Sequence, residues 1–121
     1  MQLSPLCSGS SGNATYVEMG GLRLLVDAGA TGRRIEALLG EAGASAGALD
    51  AILLTHEHID HVQGAGVLAR RYGLPVYAAA KCFAALPAAV GAIPPGQVRV
   101  TVAARDHATG AFPCIPAAAA R

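Results

Sequence analysis

The chain has 121 residues, of which 53% are hydrophobic and 14% charged, and its net charge is +1. That is one domain of modest size with enough apolar content for a core, which excludes a disordered chain. The near-neutral balance supplies no bulk attraction to nucleic acid, membrane or acidic partners, although a local basic patch can act alone.

No apolar run reaches the roughly 18 residues that a membrane span needs. The opening stretch MQLSPLCSGSSGNA lacks both the basic start and the apolar run of a secretory signal. Cys7, Cys82 and Cys114 are odd in number and have no metal or redox spacing, so reduced thiols and a cytoplasmic location are expected. Eight of the nine basic residues are Arg and alanine is abundant, a bias that a GC-rich genome produces. The only basic pairs, Arg33–Arg34 and Arg70–Arg71, read as solvated helix faces.

The first block reads as β-structure. ATYVEM (14–19) alternates as a strand, Gly20–Gly21 is a two-residue hairpin signal, and LRLLVDA (22–28) returns with an apolar run that suggests burial on both faces. Before them, SGSSGN (8–13) is a tight polar loop. Thr31 can cap a helix running to about Gly43, with Ile35, Leu38 and Leu39 on one face. GASAGA is a linker. LDAILLT (49–55) is a short apolar strand, and a helix from about Asp60 to Tyr72 follows, with Val62, Val67 and Leu68 inward and Gly73 as its stop. LPVYAA is the next strand, AKCFAALPAAV is helix bent or ended near Pro87, and QVRVTVA (97–103) is a strand. The order β-β-α-β-α-β-α-β predicts an α/β sheet covered by helices. From residue 104 the periodicity is lost, and RDHATGAFPCIPAAAAR reads as an irregular Ala/Pro-rich tail.

Three of the four histidines fall within LLTHEHIDHV (53–62). His56 and His58 are two apart, so on extended backbone they project to the same side, while Asp60 and His61 lie in the first turn of the helix. The cluster begins where an apolar strand ends, and the carboxyl end of a strand is where open α/β sheets bind ligands. Imidazole nitrogens with a carboxylate suit Zn²⁺ and are acceptable for Mn²⁺ or Fe²⁺. Two neighbouring ions would use all four side chains, depress the pKa of bound water and clamp a phosphodiester or polarise a carbonyl, which points to hydrolysis. The competing reading of the histidines is a surface loop without a ligand role.

THEHIDHV resembles the signature of the metallo-β-lactamase superfamily of metal-dependent hydrolases. CSGSSGNATYVE, LLVDAG and THEHIDHVQGAGVLARRYGLPVYA further resemble its YycJ/WalJ-type branch, which is associated with DNA exonuclease activity. The resemblance runs from about Leu3 to Ala80 and continues weakly to Ala103. It implies the N-terminal half of an αββα sandwich, a mixed sheet flanked by helices, over residues 1–103. It also implies His56 and His58 at a first divalent ion, and Asp60 and His61 at a second. Asp60 would orient the attacking water. Asp27 would support the motif loop without binding metal, or be a simple strand-end turn residue. Ser8, Gly9, Ser10, Ser11, Gly12 and Asn13 would form a loop beside the site, able to contact a phosphate through backbone N–H groups and hydroxyls.

The remaining ligands of the family pattern belong after residues 97–103. Only Asp106 and His107 stand there, in an order opposite to the branch's His-Asp, and His107 is given no ligand role. A truncated reading or a frame slip near residue 104 would account for this. The expectations that follow are an unpartnered apolar sheet face, self-association through it, weak metal binding and little hydrolysis by this chain alone. The leading function is metal-dependent phosphodiester hydrolysis, with DNA as the substrate. The alternatives are a vestigial or metal-binding interaction module, or a thioester or other ester hydrolase of the same superfamily. A dinucleotide-binding domain is disfavoured, because no G-x-G-x-x-G follows the first strand.

Overall fold

A computed structural model describes residues 1–9 and 12–101. The tail from residue 104, with His107 and Cys114, and Ser10 and Ser11 of the polar loop lie outside the described residues. One six-stranded sheet follows chain order: β1 (Gln2–Cys7), β2 (Ala14–Met19), β3 (Leu22–Val26), β4 (Ala51–Leu53), β5 (Val76–Ala79) and β6 (Val98–Thr101). The first three strands are antiparallel and β3 to β6 run parallel, so the sheet is mixed. The parallel strands are joined by α1 (Gly32–Glu41), by α2 (Ile59–Val62) with α3 (Ala65–Tyr72), and by α4 (Ala80–Ala84).

The helices cover one sheet face. There Tyr16, Leu25, Ile52 and Val76 pack with Ile35 and Leu39 of α1, Val62 of α2 and Leu68 of α3 in one buried cluster. Val17, Leu24, Ala51 and Tyr77 form a second cluster, with Leu22, Val26 and Leu53 packed against it. Leu3 is 58% exposed and Met19 45%. Among the described residues no helix is long and apolar enough to cross a membrane.

Several expected boundaries shift for identifiable reasons. Strand β1 was not expected at all. It carries Pro5, which the sheet accepts because β1 is an edge strand. The third strand stops at Val26 rather than Ala28, because Asp27 turns out of the β region at φ 65°. The fourth covers only Ala51–Leu53, since Asp50 accepts from the Arg23 backbone N–H and Thr55 is drawn to Asp27. The expected helix 60–72 is two helices with a break at Gln63–Gly64. Gly64 sits against the chain leaving β3, where a Cβ would lie 2.5 Å from the Ala30 carbonyl oxygen. The helix after β5 ends at Ala84, and Ala88–Val90 beyond it is a single 3₁₀ turn.

Other expectations match closely. Thr31 caps α1, its side chain accepting from the Arg34 backbone N–H at 3.2 Å. Gly73 closes α3 in the left-handed conformation. Arg33, Arg34, Arg70 and Arg71 are all exposed, as expected; Arg71 also pairs with Glu36 at 2.6 Å and Arg70 donates to the Ala92 carbonyl.

Candidate metal centre

Strands β3 and β4 are parallel neighbours, so their carboxyl ends open side by side. The chain leaving β3 supplies Asp27 and the chain leaving β4 supplies Thr55 and His56. Asp27 is 6% exposed, and its backbone N–H continues the ladder to the Leu53 carbonyl at 2.7 Å. Its Oδ1 accepts from the Thr55 backbone N–H at 2.8 Å, and its Oδ2 accepts from the Thr55 hydroxyl at 2.6 Å. His61 Nδ1 lies 2.8 Å from the same Oδ2. A buried carboxylate is costly without partners, and here both oxygens have them.

Asp27 therefore ties together the ends of two strands and the helix that follows the motif. The backbone adds further ties. Ala28 N–H donates to the His61 carbonyl, Gly64 N–H to the Ala28 carbonyl, and Asn13 N–H to the Asp60 carbonyl, each at 2.8 Å. The contact is so close that a Cβ on Gly29 would lie 1.8 Å from the Asp60 carbonyl oxygen.

The imidazoles gather at this junction. The His56 and His61 ring centroids are 4.6 Å apart, and those of His56 and His58 are 6.2 Å apart with nearly parallel planes. His58 precedes α2 on extended backbone, and its carbonyl accepts from the His61 N–H at 2.8 Å. Asp60 Oδ2 lies 4.0 Å from His61 Nε2. Asp27, His56 and His61 each offer a ligand atom within 4.8 Å of the others, a group able to hold a metal ion. His58 and Asp60 stand beside this group rather than in it.

The polar loop reaches the same place. The Asn13 side-chain amide lies 3.2 Å from the Asp60 carbonyl oxygen, 3.4 Å from Asp60 Oδ2 and 3.5 Å from His61 Nε2. The backbone N–H groups of Gly9, Gly12 and Asn13 donate within the fold, to Asn13 Oδ1, the Gly9 carbonyl and the Asp60 carbonyl. Ser8, at the start of the loop, is exposed. Behind the site Cys82 is a free, buried thiol. Burial, with the charges of Glu57 and Asp27, raises its pKa, so it stays neutral and is a poor metal ligand.

Two contributors were not singled out from the sequence. Thr55 bonds to Asp27 and His56 together, and its only local signal is its place before the first histidine. Gly29 permits the close approach of β3's exit to the motif loop, and LLVDAG hints at it only by carrying a glycine after the aspartate.

Comparison with known proteins adds to this geometry. The family model described as "Metallo-beta-lactamase superfamily" matches residues 8–102. The exodeoxyribonuclease WalJ of Streptococcus pneumoniae serotype 2 (strain D39) is 53% identical over 83 residues, covering 69% of this chain and 31% of the relative. The exodeoxyribonuclease YycJ of Bacillus anthracis is 47% identical over 97 residues, covering 80% and 37%. The chain thus spans about a third of the length of these curated relatives. Among solved structures, TTHA1623 in a di-iron-bound form superposes with a TM-score of 0.55 at 34% identity, over 66% of this chain and 39% of that one.

Proposed function

The chain belongs to the metallo-β-lactamase superfamily of metal-dependent hydrolases, and on that premise we propose that its motif loop is one side of a two-metal centre that hydrolyses phosphodiesters at DNA ends. The observation that carries the reading is the buried Asp27 carboxylate, whose oxygens hold Thr55 and His61 while one ligand atom each of Asp27, His56 and His61 lies within 4.8 Å of the others. An anion placed to orient imidazoles is the usual support of a metal-binding histidine. The substrate rests on the likeness to two exodeoxyribonucleases.

In this reading His56 and His58 hold one ion, and Asp60 and His61 the other. Asp27 is a supporting residue, because its oxygens already accept three hydrogen bonds. Divalent ions bound there, Zn²⁺ first and Mn²⁺ or Fe²⁺ as substitutes, would lower the pKa of water and offset phosphodiester charge. Asp60 would accept a hydrogen bond from the attacking water and so orient it towards the substrate. Asn13 steadies Asp60. The loop of residues 8–13 would contact the substrate phosphate, through hydroxyls rather than through the backbone amides of Gly9, Gly12 and Asn13, which donate within the fold. Among the described residues two ligands per ion are fewer than the three that catalytic zinc normally takes. In this reading residues 1–103 form the first part of the hydrolase domain, and these four side chains by themselves would bind zinc weakly. Reduced Cys7 and Cys82 suit a cytoplasmic setting.

The test is end-labelled duplex DNA and a thioester panel, incubated with the product of the complete reading frame after chelation and again after zinc or manganese is restored. Nucleotide release that needs the metal and falls by about 10²-fold or more in Asp60→Asn is the expected result, on the scale of a lost acid–base group. Thioester turnover without DNA hydrolysis would replace the substrate assignment. Equal DNA hydrolysis with and without metal would overturn the whole reading.

A further inference from the structure

Thr55 has one hydroxyl proton and two neighbours within reach of it. Its Oγ1 is 2.6 Å from Asp27 Oδ2 and 2.9 Å from His56 Nδ1. An ionised carboxylate can only accept, so the hydroxyl proton points to Asp27. The Thr55 oxygen is then left as an acceptor towards His56, and a hydrogen bond at that distance needs the proton on His56 Nδ1. Neutral His56 is thereby held with Nε2 bare. Asp27 Oδ2 does the same directly to His61, 2.8 Å from its Nδ1. One carboxylate thus selects the tautomer of two imidazoles, one by contact and one through a hydroxyl.

We propose that Thr55 is a positioning residue that relays the acceptor character of Asp27 to His56 and presents the His56 Nε2 lone pair to a divalent cation. The cation part of this statement rests on the metal reading above; the tautomer part rests on the hydrogen bonds alone. Side-chain branching suits the role. Thr55 is exposed, so its rotamer is not fixed by packing, but a β-branched side chain has restricted χ1 freedom. Its backbone N–H is pinned to Asp27 Oδ1 at 2.8 Å, which anchors the residue from the other end. Without the hydroxyl, nothing among the described residues' hydrogen bonds holds the proton on His56 Nδ1. A neutral imidazole left free favours the proton on Nε2, the nitrogen a cation would need bare.

The experiment is two-bond ¹⁵N–¹H correlation spectroscopy of the imidazoles in the metal-free full chain, at about pH 8, above the ordinary histidine pKa. The wild type is expected to show His56 and His61 both protonated on Nδ1. Thr55→Val, close to isosteric, should move His56 towards the Nε2-protonated form and leave His61 unchanged, because Asp27 still holds it. Thr55→Ser should preserve both patterns. Zinc affinity, read by competition with a chromophoric chelator, should fall about 10-fold or more in Thr55→Val and stay within about 3-fold of wild type in Thr55→Ser, the range of a lost supporting partner.

A wild-type His56 protonated on Nε2 overturns the proposal without any variant, so a Thr55→Val protein that failed to fold would not protect it. So does a Thr55→Val spectrum identical to wild type. If the tautomers respond as expected but zinc leaves the imidazole signals unmoved, the relay stands and the metal reading falls.

Discussion

Asp27→Asn is expected to weaken zinc binding about 10- to 100-fold and to lower folding stability by about 2 kcal/mol. Asparagine is the most informative replacement because of the backbone. Asp27 sits at φ 65°, and among non-glycine residues aspartate and asparagine tolerate that region best. The variant therefore keeps the turn and changes only the side-chain chemistry. The carboxylate accepts from the Thr55 N–H, the Thr55 hydroxyl and His61 Nδ1. An amide has one acceptor oxygen for these three donors and brings an NH₂ of its own against one of them. At least one of these part-buried bonds is lost, which costs about 1–3 kcal/mol.

The metal effect follows from the same bonds. Once the amide nitrogen faces His61, the imidazole turns its lone pair inward and its Nε2 is no longer bare. Chemical denaturation and chelator competition on the same sample separate the two consequences. A stability loss with unchanged zinc affinity would reduce Asp27 to a strand-end brace. Complete loss of binding with the fold intact would make it a ligand, as its place within 4.8 Å of His56 and His61 permits. Asp27→Ala should cost a further 1–2 kcal/mol or so from backbone strain, which Asp27→Gly should not.

What could be read in advance divides by sequence distance. The Thr31 cap, the Gly20–Gly21 hairpin and the Gly73 stop depend on residues within one turn of each other, and each stands where the pattern put it. The histidine cluster was legible for the same reason. It is a local string, and it stands where the pattern put it, directly after a strand and at the start of a helix.

The arrangement around the cluster is not local. Asp27 meets Thr55 across 28 positions and His61 across 34, and Asn13 meets Asp60 across 47. No period or spacing in one sequence encodes such pairs; only the family resemblance marked Asp27 and the 8–13 loop as near the site. The break between α2 and α3 has the same origin. Val62, Leu68 and Gly73 all fit one helix from 60 to 72, and the conflict arises only when Gly64 is pressed against the Ala30 carbonyl. Strand β1 was missed for an opposite reason. Its pairing with β2 is regular from Gln2 to Pro5, but a proline in six residues hides the pattern of an edge strand.

Gly29→Ala should be the most damaging single methyl in the described chain, with a loss of about 3 kcal/mol or more and displacement of the motif loop. The added Cβ would lie 1.8 Å from the Asp60 carbonyl oxygen, 2.4 Å from its carbon and 2.6 Å from the Asn13 nitrogen. All three are backbone atoms, so no side chain can swing aside. Relief requires the exit of β3 to move more than an ångström from the loop. That movement breaks the Ala28-to-His61 and Gly29-to-Asn13 backbone bonds, of 2.8 and 2.9 Å. Overpacking alone typically costs about 1–3 kcal/mol, and each lost bond adds about 1. The matched control is Gly40→Ala in α1, where a Cβ meets nothing within 4 Å. That change should stabilise by roughly 0.5–1 kcal/mol, through helix propensity and a less flexible unfolded chain. The two variants add the same methyl, so the difference between their denaturation midpoints isolates the contact. If Gly29→Ala unfolded within about 1 kcal/mol of Gly40→Ala, the junction would be loose. The motif loop would then owe its position to the Asp27 hydrogen bonds rather than to backbone packing. A large difference, with zinc binding also lost in any Gly29→Ala protein that stays folded, would mean that the close backbone approach places Asp60 and His61.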